Sequence, residues 1–367
     1  MKNKVRSKLA EIRNSRGVAA AEIAKRVGVT RQTIYAIEAG NYVPNTEVAL
    51  RLARELEVPV EELFSLASAD VAGAASLPAE YLSPSKAGKG QAVRLGQVGT
   101  KWVSVPVSAS PYFLPEADGI IADRTRVAVF PSDGSVKKRI VLAGCDPATS
   151  LLAAMVERGT GVEVIHAPAS SELALRWLKD EKVHIAGCHL EDPKTAEFNV
   201  PFIRRKFGQE DIGVVTFAEW EEGLVVARGN PRSIRTVADL ARKDVTFINR
   251  QSGSGSRLLL DKLLREAGVA HSSVQGYSRV AAGHLAAAYA VVSGDAACCL
   301  ATRSAARAFD LGFVPLRSER YDFVFRTGAL ETPAVQTFMD VLQRAALRRK
   351  LETLAGYDTT KTGTRIV

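Results

Sequence analysis

The stretch Val245–Asp261, VTFINRQSGSGSRLLLD, passes from an apolar strand-like segment through alternating serine and glycine into a leucine-rich helix. Two other loops have comparable character: GCDP (144–147) and APASS (167–171). Each follows a strand-like run and precedes a helical one. Hydroxyls, unpaired first-turn amides and the positive end of a helix suit a small anion. Within the first loop, Asp146 is placed to cap the helix that begins near Pro147. Arg250 reads as a group directed at a ligand. Arg257 reads equally as a ligand contact or as a structural partner of Asp261 or Glu266.

Catalysis is not expected from these residues. No Gly-Lys-Ser/Thr follows the glycines, and Leu258 stands where a dinucleotide fingerprint places its third glycine. No serine sits in a G-x-S-x-G elbow. Cys145, Cys188, Cys298 and Cys299 show no CxxC spacing and read as small buried hydrophobes. His166, His184 and His189 are not spaced as metal ligands and read as core or rim residues. No metal and no resident cofactor are expected.

A second kind of chemistry lies at the other end. Residues 1–31 hold four Lys and five Arg against two Glu, whereas the whole chain of 367 residues has a net charge of only +9. A basic block of this kind suits a polyanion. The segment AEIAKRVGVTRQTIYAIEAG reads as helix, glycine turn and Thr-capped helix, with Gly28 at the turn, Thr30 as cap and Gly40 as stop. TEVALRLARELEV and VEELFSL add amphipathic helices whose apolar stripe is Leu50, Leu52, Leu56, Leu63 and Phe64. Residues 5–66 resemble the phage-repressor-type helix-turn-helix family. The resemblance implies that Arg31, Gln32 and Tyr35 meet base edges of double-stranded DNA, with Thr33 nearer the backbone. Arg13, Lys25, Asn41 and Tyr42 are then expected at phosphates.

Between these ends, residues 67–91 are rich in Ala, Ser, Gly and Pro and read as a linker. Residues 92–138 alternate short apolar runs with Gly, Pro and Asp-Gly turns, a small β-rich segment. From Lys138 onward, strands and helices alternate, which predicts parallel sheets with helices on both faces and ligands at strand carboxyl ends.

Residues 139–326 resemble the periplasmic-binding-protein-like domain of the molybdate-binding type, through LAGCDPATSLLA, HIAGCHLEDPKTAEFNVPF, GLVVARGNPRSIRTVADLARKDVTFINRQSGSGSRLLLD and GHLAAAYAVVSGDA. Domains of that kind occur fused to helix-turn-helix domains in bacterial one-component regulators. The resemblance implies oxyanion contacts from Ser170, Ser171, Ser254, Ser256 and the amides near Gly253 and Gly255. Cys145 and Asp146 would line the first loop, and His284 would be an outer contributor. Ser170–Ser171 stands where that family carries a glycine pair, and the strand AACCLA lacks its usual Tyr.

The expected fold class is therefore multidomain: an all-α helix-turn-helix domain (1–66), a linker with a short β-rich region, and an α/β two-lobed domain (139–367). The expected function is a cytoplasmic, DNA-binding regulator, acting as a homodimer. Its effector is a small oxyanion, molybdate or tungstate first, or another polar small molecule. No apolar run is long enough to span a bilayer, and a membrane partner is not expected.

Overall fold

The computed structural model describes residues 5–66, 75–107, 114–130, 138–208 and 211–367. The chain divides into two compact units, residues 1–75 and 76–367.

In the first unit a short strand, β1 (Val5–Ser7), leads into α1 (Leu9–Ser15), α2 (Ala20–Val27), α3 (Arg31–Glu38), α4 (Thr46–Glu55) and α5 (Val60–Leu63), and β2 (Phe64–Leu66) closes back on β1. Gly28 ends α2 in the left-handed conformation, and the Thr30 hydroxyl accepts from Thr33 N–H to start α3. Asn45 caps α4 in the same way. Leu9, Ile23, Val27, Ile34, Ile37, Leu52, Leu56 and Leu63 form the core. Leu50 departs from the expected stripe, because its helix face turns outward and leaves it 54% exposed.

The second unit begins with a six-stranded sheet of β3 (Ala75–Pro78), β4 (Glu80–Tyr81), β5 (Ala92–Val98), β6 (Lys101–Pro106), β7 (Gly119–Ile121) and β8 (Arg126–Val129), in the order β3-β8-β7-β5-β6-β4. The expected linker is thereby shortened. Residues 67–74 lie outside the described residues, but 75–81 are already sheet strands. The predicted strands at 92–106 and 119–129 are present.

The remaining chain builds one eight-stranded sheet. Its first half is parallel: β9 (Arg139–Gly144), α6 (Thr149–Thr160), β10 (Glu163–Pro168), α7 (Ser171–Lys179), β11 (Ile185–Cys188) and α8 (Val200–Phe207). A long strand, β12 (Ile212–Val226), then carries the chain into a second parallel half. That half comprises β13 (Phe247–Arg250), α9 (Gly255–Glu266), β14 (Val280–Ala281), α10 (His284–Val292), β15 (Cys298–Thr302) and α11 (Arg303–Ala308). A second long strand, β16 (Gly312–Arg326), returns antiparallel to β12, and α12 (Pro333–Leu342) and α13 (Ala345–Lys350) finish on the first half.

The strand order β10-β9-β11-β16-β12-β15-β13-β14 places two parallel half-sheets on either side of an antiparallel ribbon. The expectation of parallel sheets alone is corrected here, since β12 and β16 must cross between lobes in opposite directions. Residues 358–367 run along β12, with Val214 N–H donating to Val367 and Glu219 exchanging bonds with Asp358.

The six-stranded sheet packs on the first lobe: Val98, Val103 and Val105 share a core with Val141 and Ile165. Arg94 and Arg139 tie the two together through Asp118 and Glu163. Burial opposes ionisation of Asp118, but Arg139 and Arg94 hold its carboxyl below the usual range.

Candidate functional site

Two sets of candidate side chains emerge, one in each unit. On α3, Arg31 and Gln32 are exposed and Thr33 is half-buried, its side chain spent on the Thr30 cap. Tyr35 is 44% exposed, and Arg31 lies against it, with Nη2 2.7 Å from the phenol oxygen. Lys25, Asn41 and Tyr42 are also exposed. Arg13 is not available as a phosphate contact. Its side chain is largely buried, its Nε donates to Glu38 at 2.7 Å, and Nη1 donates to Val18 O. It fastens α1 to α3.

The cleft of the second unit lies where the ribbon crosses between lobes. Strand alternation sends Ala218, Trp220 and Glu222 of β12 to one face, opposite Tyr321, Glu319 and Arg317 of β16. Register shifts at Thr216/Ala218 and at Glu222/Gly223 bracket this segment, and such bulges re-aim side chains. Glu222 and Glu319 are thus buried on the cleft floor. Burial, reinforced by Glu319, raises the Glu222 carboxyl well above its ordinary range. Burial likewise lifts Glu319 to about 7.

Three loops close over this floor. Cys145 follows β9, His189 follows β11, and His284 opens α10. The Cys145 sulfur is 3.4 Å from Nε2 of His189 and 3.9 Å from Nε2 of His284. Nδ1 of His189 sits 2.6 Å from Oε2 of Glu319. Burial disfavours charge on His189, yet Cys145 and Glu222 outweigh it and raise its pKa. Burial, then Arg250 and His189, push His284 well below the ordinary value.

Arg250 ends β13 and is 1% exposed, and none of its three guanidinium nitrogens has a hydrogen-bond partner. The buried Ser256 hydroxyl faces Glu222. A cavity of about 530 Å³ is lined by Cys145, Asp146, Thr149 and His166 from the first lobe and by Gly283 and His284 from the second.

The serine-rich loops do other work than expected. Ser170 caps α7 by accepting from Leu173 N–H, and Ser171 accepts from the His189 N–H at 3.2 Å. Ser254 caps α9 and also donates to Gln251 O. Gly253, at φ +77°, accepts from Glu172 N–H through its carbonyl, and a side chain there would strike Glu172. A Cβ on Gly255 would run into His189. The glycines therefore let the two lobes meet. Arg257 takes its structural option: it pairs with Asp261 at 3.1 Å and lies 4.1 Å over the Tyr277 ring. Asp146 Oδ1 accepts from Ala148 N–H and from the Tyr357 hydroxyl, and burial raises its pKa to about 7.

The lobes are held shut by side chains as well. Glu191 beyond β11 binds Lys262 of α9 at 3.2 Å and also Arg317. Tyr357 joins Asp146 to Ser304 of α11.

A PBP superfamily domain model matches residues 152–343, and a helix-turn-helix model matches residues 9–63. The chain belongs to the PBP superfamily domain family. The chain is 30% identical over 227 residues to the uncharacterized protein YvgK of Bacillus subtilis (strain 168), covering 62% of this chain and 73% of that one. The amino-terminal region is 41% identical over 66 residues to the uncharacterized HTH-type transcriptional regulator YgzD of the same organism, covering 18% of this chain and 94% of YgzD. A third relative is an HTH-type transcriptional regulator of Methanothermobacter thermautotrophicus. It is 44% identical over 63 residues, 17% of this chain and 91% of the relative.

The PBP domain contains site residues that the sequence does not announce. Glu222, Glu319 and the partnership of His189 with Cys145 come from strands and loops 44 to 174 residues from Cys145 in sequence. Cys145, His189 and Glu319 stand in thiol, imidazole and carboxylate sequence, an arrangement that no motif in the chain announces. The one available signal was the His-Leu-Glu-Asp turn after β11, where a polar run follows a buried strand.

Proposed function

We propose that the protein is a DNA-binding transcriptional regulator whose PBP domain closes on a small anionic effector. Arg250 carries this reading. A guanidinium stays charged at any physiological pH, and a buried charge without a counter-ion is strongly disfavoured. Arg250 has none within salt-bridge reach among the described residues, and its three nitrogens are unsatisfied. An anion bound between the lobes supplies what is missing. Molybdate and tungstate are the first probes.

An organic anion is the second reading, favoured by the cavity. Its volume of about 530 Å³ exceeds what a tetrahedral oxyanion fills, and Ala153, Ala154, Val164 and Leu285 give it apolar walls. Calorimetry of the full chain with molybdate, tungstate, sulfate and phosphate separates the two. Heat that disappears in Arg250→Gln is the expected result, and silence with all four ions sinks the oxyanion reading.

The DNA-binding half acts through Arg31, Gln32 and Tyr35, with Lys25, Asn41 and Tyr42 at phosphates. As a homodimer, two α3 helices would read half-sites about one helical turn apart. An effector that prefers the closed lobes shifts the population competent for DNA.

A further inference from the structure

Cys145, His189 and His284 come from three loops, yet Sγ and the two Nε2 atoms all lie within 4.8 Å of one another. Bonds of about 2.3 Å to sulfur and about 2.0 Å to nitrogen place the ligand atoms of a tetrahedral zinc site roughly 3.3–3.6 Å apart. The observed separations from sulfur, 3.4 Å and 3.9 Å, need little adjustment. Behind each imidazole stands a carboxylate: Glu319 at 2.6 Å from Nδ1 of His189 and Glu222 at 3.8 Å from Nδ1 of His284. Carboxylates behind metal-bound histidines fix the tautomer and the ring orientation. Nδ1 of His284 is buried without a hydrogen-bond partner.

We propose that Cys145, His189 and His284 bind one thiophilic divalent cation of the zinc class, with its fourth position open to the cleft cavity. One thiolate and two imidazoles select zinc, cobalt or nickel over magnesium or calcium, which take oxygen ligands. A thiol–imidazole pair oriented by Glu319 explains Cys145 and His189 but leaves His284 without a role. The cation gives all three a role. Arg250 opposes a second positive charge, and the Cys145 thiolate that the cation stabilises offsets it. The cavity lined by both Cys145 and His284 reaches the open position, so an exogenous ligand can complete the coordination. The metal proposal does not depend on the anion reading, because its ligands and the anion's Arg250 are different groups.

The test is titration of chelator-stripped full-length protein with cobalt(II) alone, followed by displacement with zinc. One equivalent per chain should bind, with a thiolate-to-cobalt charge-transfer band and the intense visible bands of four-coordinate cobalt. Cys145→Ser should lose the charge-transfer band, and Glu319→Gln should keep it while weakening affinity about tenfold. Arg250→Gln should keep the band even where it loses the anion heat, so the two readings fail separately. On the wild-type chain, zinc should protect Cys145 from alkylation, read by peptide mass. A missing band, a band that survives Cys145→Ser, or rapid alkylation that zinc does not slow overturns the site. The last outcome would instead point to a nucleophilic thiol.

Discussion

Arg31 and Arg250 carry the same guanidinium in opposite settings. Arg31 stands in water on α3, its head resting on Tyr35. Arg250 is enclosed at the end of β13 with every nitrogen unsatisfied. An exposed guanidinium is solvated at no cost and announces nothing by itself; only the helix-turn-helix frame gives it a direction. A buried one without an acid is costly enough to announce a missing ligand on its own. The first unit thus reads outward through a surface, and the second reads inward through unmet bonds.

The comparison is broken most directly on the outward side. Arg31→Ala with Gln32→Ala should remove about 1–3 kcal/mol of base discrimination per residue. A salt-dependent, sequence-blind affinity should remain. Footprinting and a salt titration on one operator measure both, and surviving sequence preference would reassign the reading residues. On the inward side, Arg250→Gln should weaken effector binding about a hundredfold, since charge-assisted contacts contribute about 1.5–3 kcal/mol. Its DNA affinity without effector should not change.

A sharper cut uses Arg13, which sequence placed at phosphates and structure places against Glu38. Arg13→Ala should destabilise the first unit by about 2–3 kcal/mol, because it leaves Glu38 half-buried and unpaired. The salt slope of DNA binding should stay the same. A reduced slope with unchanged melting would restore the phosphate role.

The second unit should also respond to acid. Burial lowers His166 to about 4 from the usual 6.5, so the unfolded chain takes up a proton that the folded one refuses. Stability should fall as pH drops from 6.5 toward 4, by about 2 kcal/mol from His166 at pH 5. His184, also lowered by burial to about 4, acts in the same direction. His166→Gln should flatten the acid limb in denaturant titrations, and an unchanged limb would remove His166 as a cause. The smallest effect is expected from Lys262→Ala. It releases one link from Glu191 across the lobes and should cost only a few-fold in effector affinity, as a partly exposed ion pair does. A loss as large as that of Arg250→Gln would mean that closure of the lobes, more than the anion contact, sets the affinity.

The same contrast explains what the sequence made legible. Thr30, Gly28 and Gly40 act on residues within a few positions, so the helix-turn-helix can be read locally. Ser170 and Ser254 are likewise legible as helix starts, and both do cap helices. Ser254 also gives its O–H to Gln251 O, whereas the Ser170 cap takes only an acceptor lone pair and leaves the O–H donor to other partners. Glu222 stays hidden because β12 is buried along nearly its whole length and loses the alternation that marks a strand, and Glu319 because its strand alternates among charged residues, with exposed Ser318 beside it. Trp220 between two acids looks like a surface turn until β16 lies beside it. Pairing at long range decides which side such residues face, and a single chain read in order does not contain it.

Residues 358–367 are hydrogen-bonded along β12, one of the two long strands that join the lobes. Any bending of that ribbon would carry the tail with it. A fluorophore on the exposed Lys361, opposite Glu219, should change its emission as the lobes open and close. It would turn the regulator into an optical reporter of its own effector, without touching either the DNA-reading helix or the cleft.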